Sequence, residues 1–258
     1  MKHFWEEPCI SGDENTCKQG SGAIFFSGCN LKCVFCQNYE ISHEPLGKEI
    51  SIQELAKIFK QFEKDGATNI NLVTPSHYAE SILQALEIYT PNIPIVWNSS
   101  GYDDPQMLEK IIKKVKVFLM DFKYYDNALA NKYSKCPNYF ENCTECLKLI
   151  KKHFPKNKYE DGLLTQGLIV RHMILPTHTK DSENILKWIA QNLGTNTAIS
   201  LLAQYTPHGE AQKFEEINRK LKPIEYKKVL KTMQDLKLET GFVQDLESAT
   251  TAYIPKFK

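Results

Sequence analysis

The sequence has no long apolar run, no surplus of one charge and no low-complexity tract. Nothing in its 258 residues reaches the roughly 18–20 consecutive apolar positions of a membrane-spanning helix. Lysine and arginine total 32 against 31 acids, a formal net charge of +1. No bulk charge therefore recommends nucleic acid or an anionic membrane as the partner. The start, MKHFWEEPC, puts acids and Trp5 where a signal peptide needs an apolar core, so a cytoplasmic chain is expected. Long Gly/Ser linkers and internal repeats are missing too. With 42% hydrophobic residues, one domain with a real core is within reach. What the chain does have is cysteine, eight in all. In a reducing compartment these do not read as a disulfide framework, and a tight cluster of them reads as metal binding or thiol chemistry.

Periodicity predicts strands over 23–28, 69–74, 93–98, 115–123, 167–175 and 197–205. It predicts helices over 51–66, 77–89, 104–114, 142–153, 181–192 and 224–236, with GFVQDL at 241–246 as a last short strand. Ser51 suits an N-cap, Gly66 a stop, and Pro105 the first turn of its helix. Strand and helix alternating about six times read as a parallel α/β barrel or a doubly wound sheet. Function in such folds gathers at the C-terminal ends of the strands. Thr74-Pro75-Ser76, Asn98-Ser99-Ser100-Gly101, Asp121 to Lys123, Arg171-His172 and Gln204-Tyr205 all fall at that edge.

The stretch AIFFSGCNLKCVFCQNYE, residues 23–40, brings Cys29, Cys33 and Cys36 to the same edge in a C-x3-C-x2-C spacing. A structural zinc site closes four ligands as two pairs, so zinc would have to borrow Cys9 or Cys17. A redox dithiol would leave one thiol unused, and buried structural cysteines rarely space this way. Three thiolates suit a [4Fe–4S] cube, each on one iron, with the fourth iron left for a substrate. Cys9 falls in a leader expected to be extended and near the barrel rim, without an assigned role. Cys136, Cys143 and Cys146 raise the question of a second cluster. No four-cysteine run accompanies them, and Cys143 and Cys146 lie at i, i+3 on a predicted helix, as an ordinary cysteine face would.

Cys29-Asn-Leu-Lys-Cys33-Val-Phe-Cys36 resembles the CxxxCxΦC signature of radical S-adenosylmethionine (SAM) enzymes, with Phe35 as the aromatic. AIFFSGCNLKCVFCQN resembles the start of pyruvate formate-lyase activating enzymes, and EEPCISG, NINLVTPSHY, NSSGY, MDFKYYD, GLIVRH and QYTP extend the likeness to their PflX-like branch. The resemblance implies a partial (β/α)6 parallel barrel of the radical SAM type. A single domain over 1–258 is expected, with a leader (1–20), a core barrel (21–205) and a C-terminal extension (206–258). The implied cofactors are a [4Fe–4S] cluster on Cys29, Cys33 and Cys36, and SAM on its open iron. A flavodoxin- or ferredoxin-type protein is the implied electron donor.

Single positions carry over from the family. Arg171 matches an arginine that pairs with the SAM carboxylate. Asp121 and Lys123 match a D-x-K near SAM or the substrate backbone, as catalytic or binding residues. Asn98, Ser99, Ser100 and Gly101 stand where the family's T-N-G contacts SAM, and Phe35 with Tyr39 is placed to bracket the adenine. Two segments depart from the pattern. Where the family has G-G-E, this chain has Val73-Thr74-Pro75-Ser76-His77, so Thr74 or Ser76 is expected to supply the oxygen. Where the sixth strand ends in Pro-Tyr-His, it has Gln204-Tyr205-Thr206 with His208 beyond, leaving Tyr205 as the matched residue. Three functions stay open: an activase taking hydrogen from a glycine of a glycyl-radical enzyme, a radical SAM enzyme acting on a small molecule or another peptide, and a non-catalytic zinc or iron protein.

Overall fold

In a computed structural model of the chain, residues 2–3, 7–12, 20–44 and 46–249 are described. Trp5, Cys17 and much of the leader lie outside the described residues. The strands are β1 (Lys2–His3), β2 (Ser21–Phe25), β3 (Ile70–Val73), β4 (Ile95–Ser99), β5 (Val117–Asp121), β6 (Lys158–Glu160), β7 (Leu163–Met173), β8 (Ala198–Leu202) and β9 (Gly241–Val243). The helices are α1 (Pro8–Ser11), α2 (Tyr39–His43), α3 (Ile52–Lys64), α4 (Ala79–Ile88), α5 (Pro105–Ile111), α6 (Asn127–Ser134), α7 (Tyr139–His153), α8 (Thr179–Asn192) and α9 (Pro223–Asp235). They make one sheet in the order β1-β2-β3-β4-β5-β7-β8-β9. β2 to β5 and β7 to β9 pair in parallel, while β1 and β6 add antiparallel strands on β2 and β7. This is the partial (β/α)6 barrel: six of the seven parallel strands, β2 to β5, β7 and β8, are each followed by a helix, with no pairing that closes it among the described residues.

Local chemistry starts the helices where expected. Ser51 and Glu54 form a reciprocal capping box at α3. Asp104 caps α5 just before Pro105. The strands bury both faces. Outward residues such as Leu72, Trp97, Phe118 and Val170 pack under the helices with Phe59, Ile82, Leu147 and Ile185. Inward residues Val96, Val117, Leu119, Ile169 and Ala198 form a second, smaller cluster inside the barrel.

The leader corrects one expectation. Cys9 lies on α1, and with Ile10 it packs into the inner cluster, so it sits in the barrel floor and not at the rim. Asn69 Nδ2 donates to the Ile10 carbonyl at 2.6 Å and holds this plug in place. α2, α6 and the β6 edge strand were not expected. The first two are one or two turns long, too short to display an apolar period. At α6 the helix depends on Asp126, whose carboxylate accepts from Ala128 N–H at 2.7 Å.

Candidate active site

The cysteine loop leaves β2 at the C-terminal edge and is tied from four directions. Gly28 N–H donates to the Ile41 carbonyl of α2 at 2.7 Å. Lys32 and Val34 N–H donate to the last carbonyls of α6, Ser134 at 3.0 Å and Tyr133 at 2.8 Å. Val34 in turn accepts from Glu210 N–H at 2.7 Å. His77, just after β3, contacts the Ser27 carbonyl through Nε2 at 2.8 Å. A short loop so bound presents its side chains in one arrangement.

Cys29, Cys33 and Cys36 line one cavity of about 240 Å³. Phe35, Thr74, Asn98, Ser99, Ser100, Asp121, Lys123 and Arg171 line the same cavity, so five segments distant in sequence meet there. Asp121 is the hub of its charged wall. Its carboxylate takes Lys123 Nζ at 2.6 Å and Arg171 Nε at 2.8 Å, and Arg171 Nη2 reaches on to Asn98 Oδ1. Burial alone would raise the Asp121 pKa, but the two cations outweigh it and hold the carboxyl below its usual range. Burial alone would likewise lower the Lys123 pKa, and Asp121 reverses that, keeping the ammonium charged.

Gly101 serves this wall without lining it. Its φ is +80°, and a Cβ there would stand 2.0 Å from the Asp121 carbonyl oxygen, so only glycine lets the β4 turn pass the end of β5. Thr74 lines the cavity with φ +59°, an uncommon conformation for a β-branched residue and one that clusters at functional sites. The hydroxyl of Ser100 is buried with no hydrogen-bond partner in the protein.

Three expected residues turn elsewhere. Tyr205 points into the core, donates to the Ile217 carbonyl at 2.9 Å and meets Phe35 edge-on. Ser76 spends its hydroxyl on the Asp103 carboxylate. Tyr39 stacks on His43 with ring centroids 4.1 Å apart. In place of Tyr205 the neighbouring Gln204 lines the cavity, with Gln37, Asn38, Met173 and Leu175. Met173 was legible, being two residues beyond Arg171 on the same strand face, and Leu175 and Gln204 fell within the expected strands 167–175 and 197–205; Gln37 and Asn38 sit in a loop without a period to read. Asp103 was also missed. It is 4% exposed and accepts from Trp97 Nε1 at 3.0 Å and the Ser99 hydroxyl of β4 and from Ser76 just after β3, tying the ends of the two strands together. Cys143 and Cys146 face the core and donate to the carbonyls of Asp121 and Asp103, and burial keeps both as inert thiols.

The donor set of the loop fits an iron–sulfur cube. Burial pushes the Cys33 thiol up to about 11 and raises Cys29 and Cys36 as well. Bare thiolates are thus disfavoured, and a bound metal would have to take the protons' place. Among the described residues no three His, Cys, Asp or Glu side chains converge tightly enough for a single metal ion. The three thiols line one cavity, and a [4Fe–4S] cube takes one sulfur on each of three irons. Each sulfur also receives hydrogen bonds: Cys29 from Leu31 N–H at 3.4 Å, Cys33 from Ser134 at 3.0 Å, and Cys36 from Ser42 at 3.2 Å and from the backbone N–H of Asn38.

Comparison with known proteins agrees with this geometry. The family description "Radical SAM superfamily" matches residues 23–189. An uncharacterised protein of Methanocaldococcus jannaschii is 34% identical over 229 residues, covering 85% of this chain and 63% of that protein. The chain thus spans less than two thirds of that relative. A pyruvate formate-lyase-activating enzyme of Clostridium pasteurianum is 25% identical over 217 residues, 78% of this chain and 82% of the enzyme. Among solved structures, Streptococcus suis SuiB bound to S-adenosylmethionine superposes with a TM-score of 0.57 at 13% identity, covering 87% of this chain and 50% of SuiB. That likeness is one of fold. No helix among the described residues is long and apolar enough to cross a membrane.

Proposed function

The chain belongs to the radical SAM superfamily, whose cofactors are a [4Fe–4S] cluster and SAM, and on that premise we propose that it is a radical SAM enzyme acting on a polypeptide. Cys29, Cys33 and Cys36 would hold the cluster. When bound, cluster and SAM supply the chemistry: one-electron cleavage of the sulfonium to a 5′-deoxyadenosyl radical, which takes a hydrogen atom from the substrate. The chain's own residues bind, orient and exclude water. The Arg171 guanidinium offers a fork to the SAM carboxylate, and Asn98 and Asp121 hold that fork in place. Thr74 and the unpartnered Ser100 hydroxyl would supply polar contacts at the ends of β3 and β4, while the Ser99 hydroxyl is held by Asp103. Lys123, beside Asp121, faces the space left for the substrate.

The observation that carries this reading is the single cavity shared by the three thiols and the Asp121–Lys123–Arg171 wall. The finer proposal, hydrogen abstraction from a glycine of a glycyl-radical enzyme, draws on the Clostridium pasteurianum relative. Support for a peptide over a small molecule also comes from SuiB, a neighbour in fold with a structure "bound to precursor peptide SuiA".

The test is anaerobic reconstitution with iron and sulfide, then reduction by dithionite in the presence of SAM. Formation of 5′-deoxyadenosine is expected, and its loss in Cys29→Ala, Cys33→Ala and Cys36→Ala. Full activity and iron content in Cys36→Ala would sink the reading, and a non-catalytic metal protein would cleave no SAM at all. A glycyl radical seen by electron paramagnetic resonance on an added glycyl-radical enzyme would support the finer proposal. SAM cleavage without it would turn the search to other peptides and small molecules.

A further inference from the structure

The three cysteines share a cavity but not a hydrogen-bonding environment. Ser134 Oγ lies 3.0 Å from Cys33 Sγ and 2.7 Å from the Tyr124 hydroxyl. Ser134 is 1% exposed and Tyr124 fully buried. A serine hydroxyl has one proton to give. With that proton directed at sulfur, its contact with Tyr124 must be one in which the phenol donates and Ser134 accepts. Burial keeps the Tyr124 phenol protonated and so able to donate. The result is a directed relay, Tyr124 to Ser134 to Cys33, in which each bond polarises the next.

Cys36 takes a backbone N–H from Asn38, and its serine is shared. Ser42 Oγ is 3.2 Å from its sulfur, but also 3.3 Å from the Tyr39 carbonyl and 2.8 Å from His43 Nδ1. Three neighbours divide one hydroxyl there. Cys29 takes a backbone N–H at the longer distance of 3.4 Å.

We propose that Ser134, oriented by Tyr124, is a positioning residue that raises the reduction potential of the cluster through Cys33, and does so more strongly than Ser42 does through Cys36. The inference rests on the cluster reading above. Reduction adds one electron to the cluster and makes its thiolate sulfurs more negative. A donor aimed at sulfur therefore stabilises the reduced form more than the oxidised one. In a buried site water does not screen the effect. The same helix end clamps the loop backbone through the Ser134 and Tyr133 carbonyls, so α6 fixes both the position of Cys33 and the charge its sulfur tolerates.

The experiment is an anaerobic redox titration of the full-length reconstituted chain. Dithionite supplies one electron per cluster through mediators, and the reduced cluster is followed by electron paramagnetic resonance, with iron and sulfide content measured on every sample. Ser134→Ala should disfavour reduction about tenfold, about 59 mV to the negative for a one-electron couple. Ser134→Thr, which keeps the hydroxyl, should restore most of the shift. Tyr124→Phe should move the potential the same way by less, and Ser42→Ala by less than Ser134→Ala. A wild-type potential in Ser134→Ala with its cluster intact would overturn the inference and leave the cluster reading standing. If Ser134→Ala loses its cluster, Tyr124→Phe decides: a negative shift supports the relay and an unchanged potential overturns it. Failure of the wild-type chain to assemble any cluster would overturn the cluster reading itself.

Discussion

Replacing Asp121 with Asn should strand two cations. Asp121 is the shared partner of Lys123 at 2.6 Å and Arg171 at 2.8 Å, with side chains 20%, 22% and 16% exposed. Two unit charges 4 Å apart interact by about 4 kcal/mol at an effective dielectric of ~20. Removing one partner of a fully buried pair costs about 3–5 kcal/mol. The fifth of each side chain that still meets water argues for the lower end, about 3 kcal/mol. In a chain of this size each kcal/mol lowers Tm by about 2–4 °C, so Asp121→Asn should melt about 6–12 °C below wild type. The assay is thermal denaturation of the cluster-free chain at pH 7, followed by circular dichroism. Arg171→Gln in the same background removes one stranded cation. The double variant should then be more stable than the summed single losses by about 1 kcal/mol or more.

The carboxyl's folded pKa lies below its unfolded value. Its stabilisation is therefore present above the unfolded value of about 3.9 and is lost as pH falls through the folded one. The gap between wild type and variant should hold from pH 7 to about 4 and close only below. An unchanged Tm, or strict additivity of the two substitutions, would refute the account of Asp121 as the hub.

Gly101→Ala should disrupt the rim, because the new methyl would meet the Asp121 carbonyl at 2.0 Å in a left-handed backbone. A loss of about 4 kcal/mol or more is expected in urea unfolding, and a loss below ~1 kcal/mol would deny the close approach. Asp181 accepts from Tyr125 and Asp126 N–H and anchors the entrance to α6; burial raises its pKa to about 6. Its contribution is greatest below about pH 3.9 and is lost as pH rises through about 6. Wild type should therefore gain about 2 kcal/mol on Asp181→Asn between pH 7 and 4, read from urea unfolding at both pH values. Buried His172, lowered to about 4, acts oppositely: its contribution is present above about pH 6.5 and lost as pH falls through about 4. Wild-type stability should thus stay nearly level while the variant's falls, and parallel curves would refute the assignment.

Much of the barrel was legible because a parallel strand buried on both faces is a short apolar run, and a covering helix repeats its apolar residues every three to four positions. The C-terminal edge was legible for the same reason, and with it the meeting of Asn98, Asp121 and Arg171. α6 was not, since eight residues with little apolar pattern carry no period and the helix owes its start to Asp126 and its anchor to Asp181. Tyr205 and Gln204 show where reading failed. Neighbours at a strand end point opposite ways, and only the path of the chain after β8 turned the tyrosine to Ile217 and the glutamine to the cavity.

What the sequence by itself determined is local: three thiols within eight residues, the strand that delivers them, and the glycine and capping residues that bend and start the elements around them. Spacing along a chain is enough to put three thiols on one loop. It does not set what surrounds the sulfurs. The serine that donates to Cys33 lies 101 residues away, the plug beneath the cavity comes from α1, and the carboxylate joining Lys123 to Arg171 does so across two paired strands. Hydrogen bonds and ion pairs act over about 3 Å, so partners so far apart in sequence are chosen only when strand register and helix docking bring them together.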